Sequence, residues 1–265
     1  MKKLIYIILA SSLLISCSSN SSNNDANNTG LLIKSMKLNN DNPTLYNYYG
    51  SKLSNILYFD GSTSTFTYSG DLIIKEQNNG TNGSNYVYTY NYLNDVLNSS
   101  TSNIFAAPST NYNYVHTYTY NSDGSLTATV TGTYSNSGNT QSSNSKHILY
   151  FSQGNCVKIE NYNSSNILTG SSTYTYDTKN NPYKNVTGYY SLHAFNGFSI
   201  NNQITETHKN AQGVTDVIYQ TSYQYNSQNF PISNTTTSTN YSINPQTGVL
   251  TPGTQYTDII TYTYY

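Results

Sequence analysis

The chain has 265 residues, of which 30 are tyrosine and none tryptophan, and only 9% are charged. Its 11 basic and 12 acidic side chains form neither a basic stripe nor an acidic block, which argues against nucleic acid as a partner. Apolar residues reach 35% only with the tyrosines counted, and tyrosine favours strands and can bury its ring while its hydroxyl stays wet, so a tyrosine-rich β protein is expected rather than a disordered one.

The chain opens with Lys2 and Lys3, an apolar run from Leu4 to Ile15, the small residue Ser16, and Cys17. The apolar run is too short to cross a bilayer as a helix and has the organisation of an export signal, removed from the mature chain. Leu14-Ile15-Ser16-Cys17 resembles the lipobox of bacterial lipoproteins. That resemblance implies cleavage before Cys17, acylation of Cys17, and the membrane as a partner through the lipid. More than one acyl chain makes such attachment stable. Ser18, rather than Asp, resembles the outer-membrane sorting signal of enterobacterial lipoproteins. Abundant Asn, Ser, Tyr and Lys without Arg resembles the small lipoproteins of Bacteroidota, in which surface export goes with acids just after the cysteine. Here the first acid is Asp25, which favours the periplasmic face of the outer membrane over the cell surface.

Three segments are therefore expected: a signal peptide over 1–16, a Ser/Asn tether over 17–30 too polar to bury anything, and a single domain over 31–265. With Cys17 consumed by lipid, Cys156 has no disulfide partner.

Within the domain a tyrosine pattern repeats. Its clearest copy is Tyr118-Thr119-Tyr120-Asn121-Ser122-Asp123-Gly124-Ser125-Leu126, with further copies from Tyr88, Tyr174 and Tyr223 and a degenerate one from Ile148. Tyrosines two apart share one face of a strand. Asn or Asp suits the start of a type I turn, and Gly or Asn three later tolerates the left-handed conformation of a bulged hairpin. Each copy reads as strand, tight turn and return strand. Tyr112, Tyr114, His116, Tyr118 and Tyr120 fall on one face, with Val115, Thr117 and Thr119 on the other. The expected fold is all-β: an antiparallel meander of hairpins forming one large curled sheet or barrel-like structure, with little or no helix. Periodicity alone does not choose among closed barrel, open sheet and sandwich.

The pattern resembles the YD repeats of Rhs and teneurin-type proteins and, more closely, the tyrosine-rich repeat lipoproteins of Bacteroidota. Only Asp177 keeps the acid of that pattern, and only Gly124 and Gly154 keep the glycine. The resemblance implies an antiparallel tyrosine-rich sheet and carries over no activity. A membrane-spanning barrel is the alternative suggested by the final Thr261-Tyr262-Thr263-Tyr264-Tyr265. It would need an apolar lipid-facing side, and the two faces here are mostly Tyr against Thr, Asn or Ser.

Chemical motifs are sparse. Ser143-Asn144-Ser145-Lys146 matches Ser-x-x-Lys but falls in a Ser/Asn segment read as a loop, without the helix start or companion motifs of penicillin-recognising enzymes. Glu76, Glu160 and Glu206 could form a glycosidase pair only if two converge. Lys158 with Glu160, and Glu206 with His208, read as solvated strand faces. The histidines lack ligand spacing, so no metal and no cofactor is expected. Cys156 reads as a buried small hydrophobe. The expectation is a lipid-anchored, non-enzymatic binding or scaffolding protein of the outer membrane. Glycan or another envelope protein is the candidate partner, and Tyr112, Tyr114, Tyr118 and Tyr120 are the candidate binding surface. A carboxylate-dependent hydrolase is a further alternative.

Overall fold

The structure is a computed structural model and describes residues 30–265 apart from 82, 107–109, 137–138, 194–198 and 244–248. The signal segment, Cys17 and the tether before Gly30 lie outside the described residues. Sixteen strands close into one antiparallel barrel in which every strand pairs with its neighbours in sequence, and the last with the first. They are β1 (Ile33–Leu38), β2 (Thr44–Tyr49), β3 (Lys52–Leu57), β4 (Thr63–Ser69), β5 (Leu72–Asn79), β6 (Asn85–Leu93), β7 (Val96–Ala106) and β8 (Thr110–Tyr120). The second half comprises β9 (Leu126–Asn136), β10 (Asn139–Ser152), β11 (Asn155–Tyr162), β12 (Leu168–Tyr176), β13 (Gln203–Asn210), β14 (Thr215–Tyr225), β15 (Pro231–Ile243) and β16 (Leu250–Tyr264). Closure is made by β1 against β16, with Met36 opposite Tyr262 and Lys37 opposite Thr261. A meander of hairpins is therefore present, and of the three architectures compatible with it the chain adopts the closed barrel.

Side-chain alternation sorts the residues by chemistry. The tyrosine face points into the lumen: Tyr86, Tyr88, Tyr90 and Tyr92 on β6, and Tyr112, Tyr114 and Tyr118 on β8, are all partly covered. The outer wall carries the other parity. It presents Thr65 and Thr67 on β4, Thr89 and Asn91 on β6, Asn113, Val115, Thr117 and Thr119 on β8, and Thr257, Thr261 and Thr263 on β16. These polar side chains bond across strands, as in Ser35 Oγ to Thr263 Oγ1 (2.7 Å), Asn47 Nδ2 to Asn55 Oδ1 (2.7 Å) and Thr175 Oγ1 to Thr205 Oγ1 (2.5 Å). Such pairs hold neighbouring strands in register at roughly 0.2–1 kcal/mol each.

The repeat turns lie at one end of the barrel. Gly124 (φ 82°), Asn94 (φ 52°), Gly154 (φ 76°) and Asn229 (φ 62°) all adopt the left-handed conformation that the pattern requires. The ladder also bulges beside these turns, between Asn91 and Tyr92, Tyr150 and Phe151, and Gln224 and Tyr225. The last inward tyrosine of several descending strands donates its hydroxyl to a carbonyl at the start of the adjacent ascending strand. Tyr92 reaches Ile73 (2.9 Å), Tyr120 Leu97 (3.2 Å), Tyr176 Cys156 (2.6 Å) and Tyr264 Pro231 (2.8 Å). Each bond is worth about 1 kcal/mol. The tyrosine of the repeat thus supplies a ring to the core and a donor to a neighbouring strand's backbone.

The copy beginning at Tyr174 departs from the hairpin reading. After Asp177 the chain does not turn back but runs through residues 177–202 before β13 begins, and this crossing holds the single described helix, α1 (Tyr189–His193). The described part of the crossing folds into the barrel end and plugs it. Tyr183 stacks on Tyr189 (4.4 Å between centroids) and hydrogen-bonds Tyr46 through the two hydroxyls (2.8 Å). Val186 packs with Leu32, Ile33, Leu53 and Ile56 into the main apolar cluster. The same end receives the start of the domain: Asn185 Nδ2 donates to the Leu31 carbonyl (2.9 Å), and Tyr265 N to the Leu32 carbonyl (3.0 Å).

The plug enters over Gly188, at φ 74°, where an added Cβ would stand 2.5 Å from the Asp71 carbonyl oxygen. Gly213 has a similar φ of 76° but open space around it. Gly188→Ala should therefore destabilise the protein by about 2 kcal/mol more than Gly213→Ala. Urea midpoints at unchanged m-value measure the difference, and equal midpoints would show that the plug does not depend on this contact.

Candidate functional site

Above the plug the lumen holds a cavity of about 530 Å³. Its wall is built from the inward positions of β5 to β10: Glu76, Tyr86, Tyr88, Tyr90, Ser100, Ser102, Ile104, Tyr114, His116, Tyr118, Val130, Ser145 and His147, with Leu192 of α1 contributed by the plug. Adjacent strands supply these groups because a two-residue period puts every second side chain on the lumen side. The rings run in ladders along the strands. Tyr88 stacks on Tyr90 (6.2 Å, 10°), Tyr112 on Tyr114 (6.3 Å, 9°) and His116 on Tyr118 (6.4 Å, 19°). Gly132 sits under Tyr114, whose ring would be 2.6 Å from any added Cβ, so the missing side chain is what lets this ring lie against the wall.

Glu76 is the charged centre of the cavity. A bulge in the β4–β5 ladder between Thr67 and Tyr68 shifts the alternation, so that Ile73 and Glu76 face inward while Lys75 faces out. Its Oε1 accepts from Tyr86 Oη (3.0 Å) and Ser64 Oγ (3.1 Å). The fully buried Ser64 also lies within hydrogen-bond distance of Tyr58, Tyr86 and Asn78. Burial raises the Glu76 carboxyl above its ordinary range, only partly offset by hydrogen bonds from Tyr86, Ser64 and Tyr90. His116 is held below the usual imidazole range, mainly by burial and further by His147. His147 Nδ1 lies 2.7 Å from Asn161 Oδ1, an arrangement in which Nδ1 carries the proton.

The sequence-predicted groups are distributed unevenly. Tyr114 and Tyr118 line the cavity and Tyr112 stacks beside them, all facing the lumen rather than an open sheet face. Tyr120 lies at the plugged end, with its hydroxyl on Leu97, and does not line the cavity. Ser143 to Lys146 belong to β10 rather than a loop: Ser143 faces inward beneath Gly132, and Lys146 lies on the opposite, outer face, bonded to Asn166 (2.9 Å). Positions three apart on a strand point to opposite faces, so these two cannot act together.

Lys158 and Glu160 pair on the outer wall (2.6 Å), with Tyr150 and Tyr162 donating to the carboxylate. Lys158 is the main cause of the depressed Glu160 carboxyl. Glu206 and His208, read from sequence as a solvated face, instead take the lumen parity, opposite Tyr174 and Ser172. His208 Nδ1 meets Asp216 Oδ1 at 2.5 Å. Glu76 alone of the three glutamates lines the cavity, so no glutamate pair is assembled there. No group of three His, Cys, Asp or Glu able to hold a metal ion exists among the described residues.

Cys156 is fully buried, and burial pushes its thiol up to about 11. In the native domain it should resist a water-soluble disulfide reagent, becoming reactive only on denaturation. Stoichiometric labelling without denaturant would overturn this.

No family model matches the chain, and no curated protein matches it. Among solved structures, a porin-like protein from Bacteroides vulgatus is similar in fold, with a TM-score of 0.54 at 13% identity, covering 88% of this chain and 99% of that one. A porin-like protein from Bacteroides uniformis aligns with a TM-score of 0.48 at 15% identity, covering 88% and 98%. At these identities the likeness is one of fold.

The raised Glu76 carboxyl has a stability consequence. A group whose folded pKa exceeds its unfolded value contributes stability below the unfolded pKa and loses it as pH rises through the folded one. The barrel should therefore lose stability relative to Glu76→Gln as pH rises from about 4 toward 8, because glutamine retains an acceptor for Tyr86 and Ser64 without the buried charge. Thermal midpoints of both proteins across that window measure it, and parallel profiles would refute the assignment.

Proposed function

We propose that the protein is a lipid-anchored envelope barrel that stands in water and binds a small ligand in its plugged lumen, without catalysing a reaction. The observation that carries this reading is the chemistry of the outer wall. A membrane-spanning barrel needs a continuous apolar band about 25 Å tall facing lipid, with polar residues inside. Here the outer parity is mostly Thr, Ser, Asn, Gln and Lys, bonded across strands; its exposed apolar residues Leu45 and Leu57, which face each other across the β2–β3 ladder, and Val115 and Ile259 on distant strands form no continuous band. Lys37, Lys75, Lys146 and Lys158 on that wall would each cost several kcal/mol to place in hydrocarbon.

Attachment then falls to the lipid on Cys17, with the outer membrane and its periplasmic face as the proposed site. Binding is supported by the cavity's lining, in which tyrosine and serine hydroxyls and the imidazoles of His116 and His147 share one space with a single carboxylate. A cavity of about 530 Å³ lies in the size range of small-molecule sites.

The rival reading is an outer-membrane barrel, favoured by the sixteen-strand closure and by the porin-like description of the similar Bacteroides vulgatus structure. The two part on solubility. Residues 18–265, exported behind an ordinary secretory signal, should be recovered folded and monodisperse without detergent, whereas the Cys17-bearing chain sediments with membranes. A lipid-embedded wall would instead demand detergent in both cases. Protease treatment of intact cells tests the face: protection supports the periplasmic side, and loss of the domain places it on the cell surface.

A further inference from the structure

We propose that the lumen cavity is a site for a small ligand carrying a compact ammonium group, seated among tyrosine rings next to the Glu76 carboxylate. The inference rests on the reading of the protein as a binding barrel and adds the ligand's chemical class. Three observations converge on it.

The first is charge segregation. All nine lysines of the described domain lie on the outer wall, at turns or on the plug, and none lines the cavity. Lys146 and Lys158 stand over the outward rings of Tyr162 (4.6 Å) and Tyr150 (5.3 Å), and Lys52 pairs with Asp71 (3.2 Å) at the plugged end. The lumen is left without a fixed cation.

The second is the state of Glu76. Its partners are neutral hydroxyls, from Tyr86, Ser64 and Tyr90, and among the described residues neither a lysine nor His116, His147 or His208 pairs with it. A half-buried carboxylate served by hydroxyls alone lacks the counter-charge that stabilises such groups elsewhere. On the outer wall the same residue type, Glu160, has both two tyrosine hydroxyls and a lysine. Glu76 has the hydroxyls and a cavity where the lysine would be.

The third is the wall. Tyr86, Tyr88, Tyr90, Tyr114 and Tyr118 surround the space. Tyrosine faces attract cations through the ring quadrupole, most strongly where the site is desolvated. A neutral polyol could use the hydroxyls but would leave the carboxylate uncompensated, and an anion would meet it directly.

The test uses choline chloride as probe on the detergent-free domain, followed by calorimetry. Its uncharged isostere, 3,3-dimethylbutan-1-ol, and glucose serve as comparisons. Choline should bind with one site per barrel, and the isostere at least tenfold more weakly. Glu76→Gln, which keeps the acceptor but not the charge, should lose at least tenfold in choline affinity. Val130→Lys, which brings an ammonium into the cavity, should lose it as well. Glu206→Gln should leave it unchanged. The proposal fails if choline gives no binding up to 10 mM, if the isostere binds as well, or if folded Glu76→Gln binds choline as the parent does. Glucose binding in place of choline would remove the ligand class while leaving the binding barrel standing. A domain that stays in membranes would instead remove the parent reading.

Discussion

A closed barrel of sixteen strands is too wide for its own aliphatic side chains to fill. Eight strands leave room for a packed interior, whereas sixteen in a porin enclose water. This chain meets the constraint in two ways. It lines the lumen with tyrosine, whose ring reaches further than Leu or Val, and it inserts Tyr183, Val186 and Tyr189 of the β12–β13 connection into one end. The main apolar cluster gathers around that insertion. A second, formed by Leu97, Leu126, Leu149 and Cys156, lies along the wall with Tyr90, Tyr92 and Tyr118 packed on it.

Filling space with tyrosine brings hydroxyls inside, and each needs a partner once it leaves water. At the plugged end they find backbone carbonyls beside the bulges, so burial and hydrogen bonding reinforce one another. Burial pushes the phenols of Tyr92 and Tyr176 up to about 12, keeping them protonated donors throughout the physiological range. Further along the lumen the hydroxyls converge instead on Ser64 and Glu76. The space left among those rings is the cavity. The wall's other parity, freed from packing, is mostly Thr, Ser and Asn, which pair across strands.

The elements legible in the sequence are those set by local rules. The two-residue spacing of Tyr118 and Tyr120 fixes a shared strand face, and Asn121 with Gly124 specifies a turn through backbone conformations that neighbours do not alter. Closure was not legible, because Ile33 and Tyr264 pair from opposite ends of the domain and no local feature joins them. Nor was the direction of the tyrosine face, since Tyr on one side and Thr on the other allow either to be buried. Glu206 and His208 were misassigned for this reason: they share the parity of Tyr174, which faces the lumen. Glu76 was weighed in the sequence only as a member of a glutamate pair; its place as the lone glutamate of the cavity was hidden by the bulge between Thr67 and Tyr68, which shifts the alternation of its ladder. The departure at Asp177 left one trace, the long gap between the copies at Tyr174 and Tyr223, but a gap does not reveal that its residues turn inward.

The plug also determines how the molecule is held. Leu31 enters the domain at the stoppered end, where Asn185 of the plug grips its carbonyl and the Gly30 backbone lies against the same side chain. Whatever precedes Gly30 therefore leaves from the base of the vessel, and a lipid on Cys17 would moor the barrel by its foot. On the proposed anchoring, the tether would join the barrel at its stoppered end, so the approach to the cavity would lie at the end the tether does not occupy.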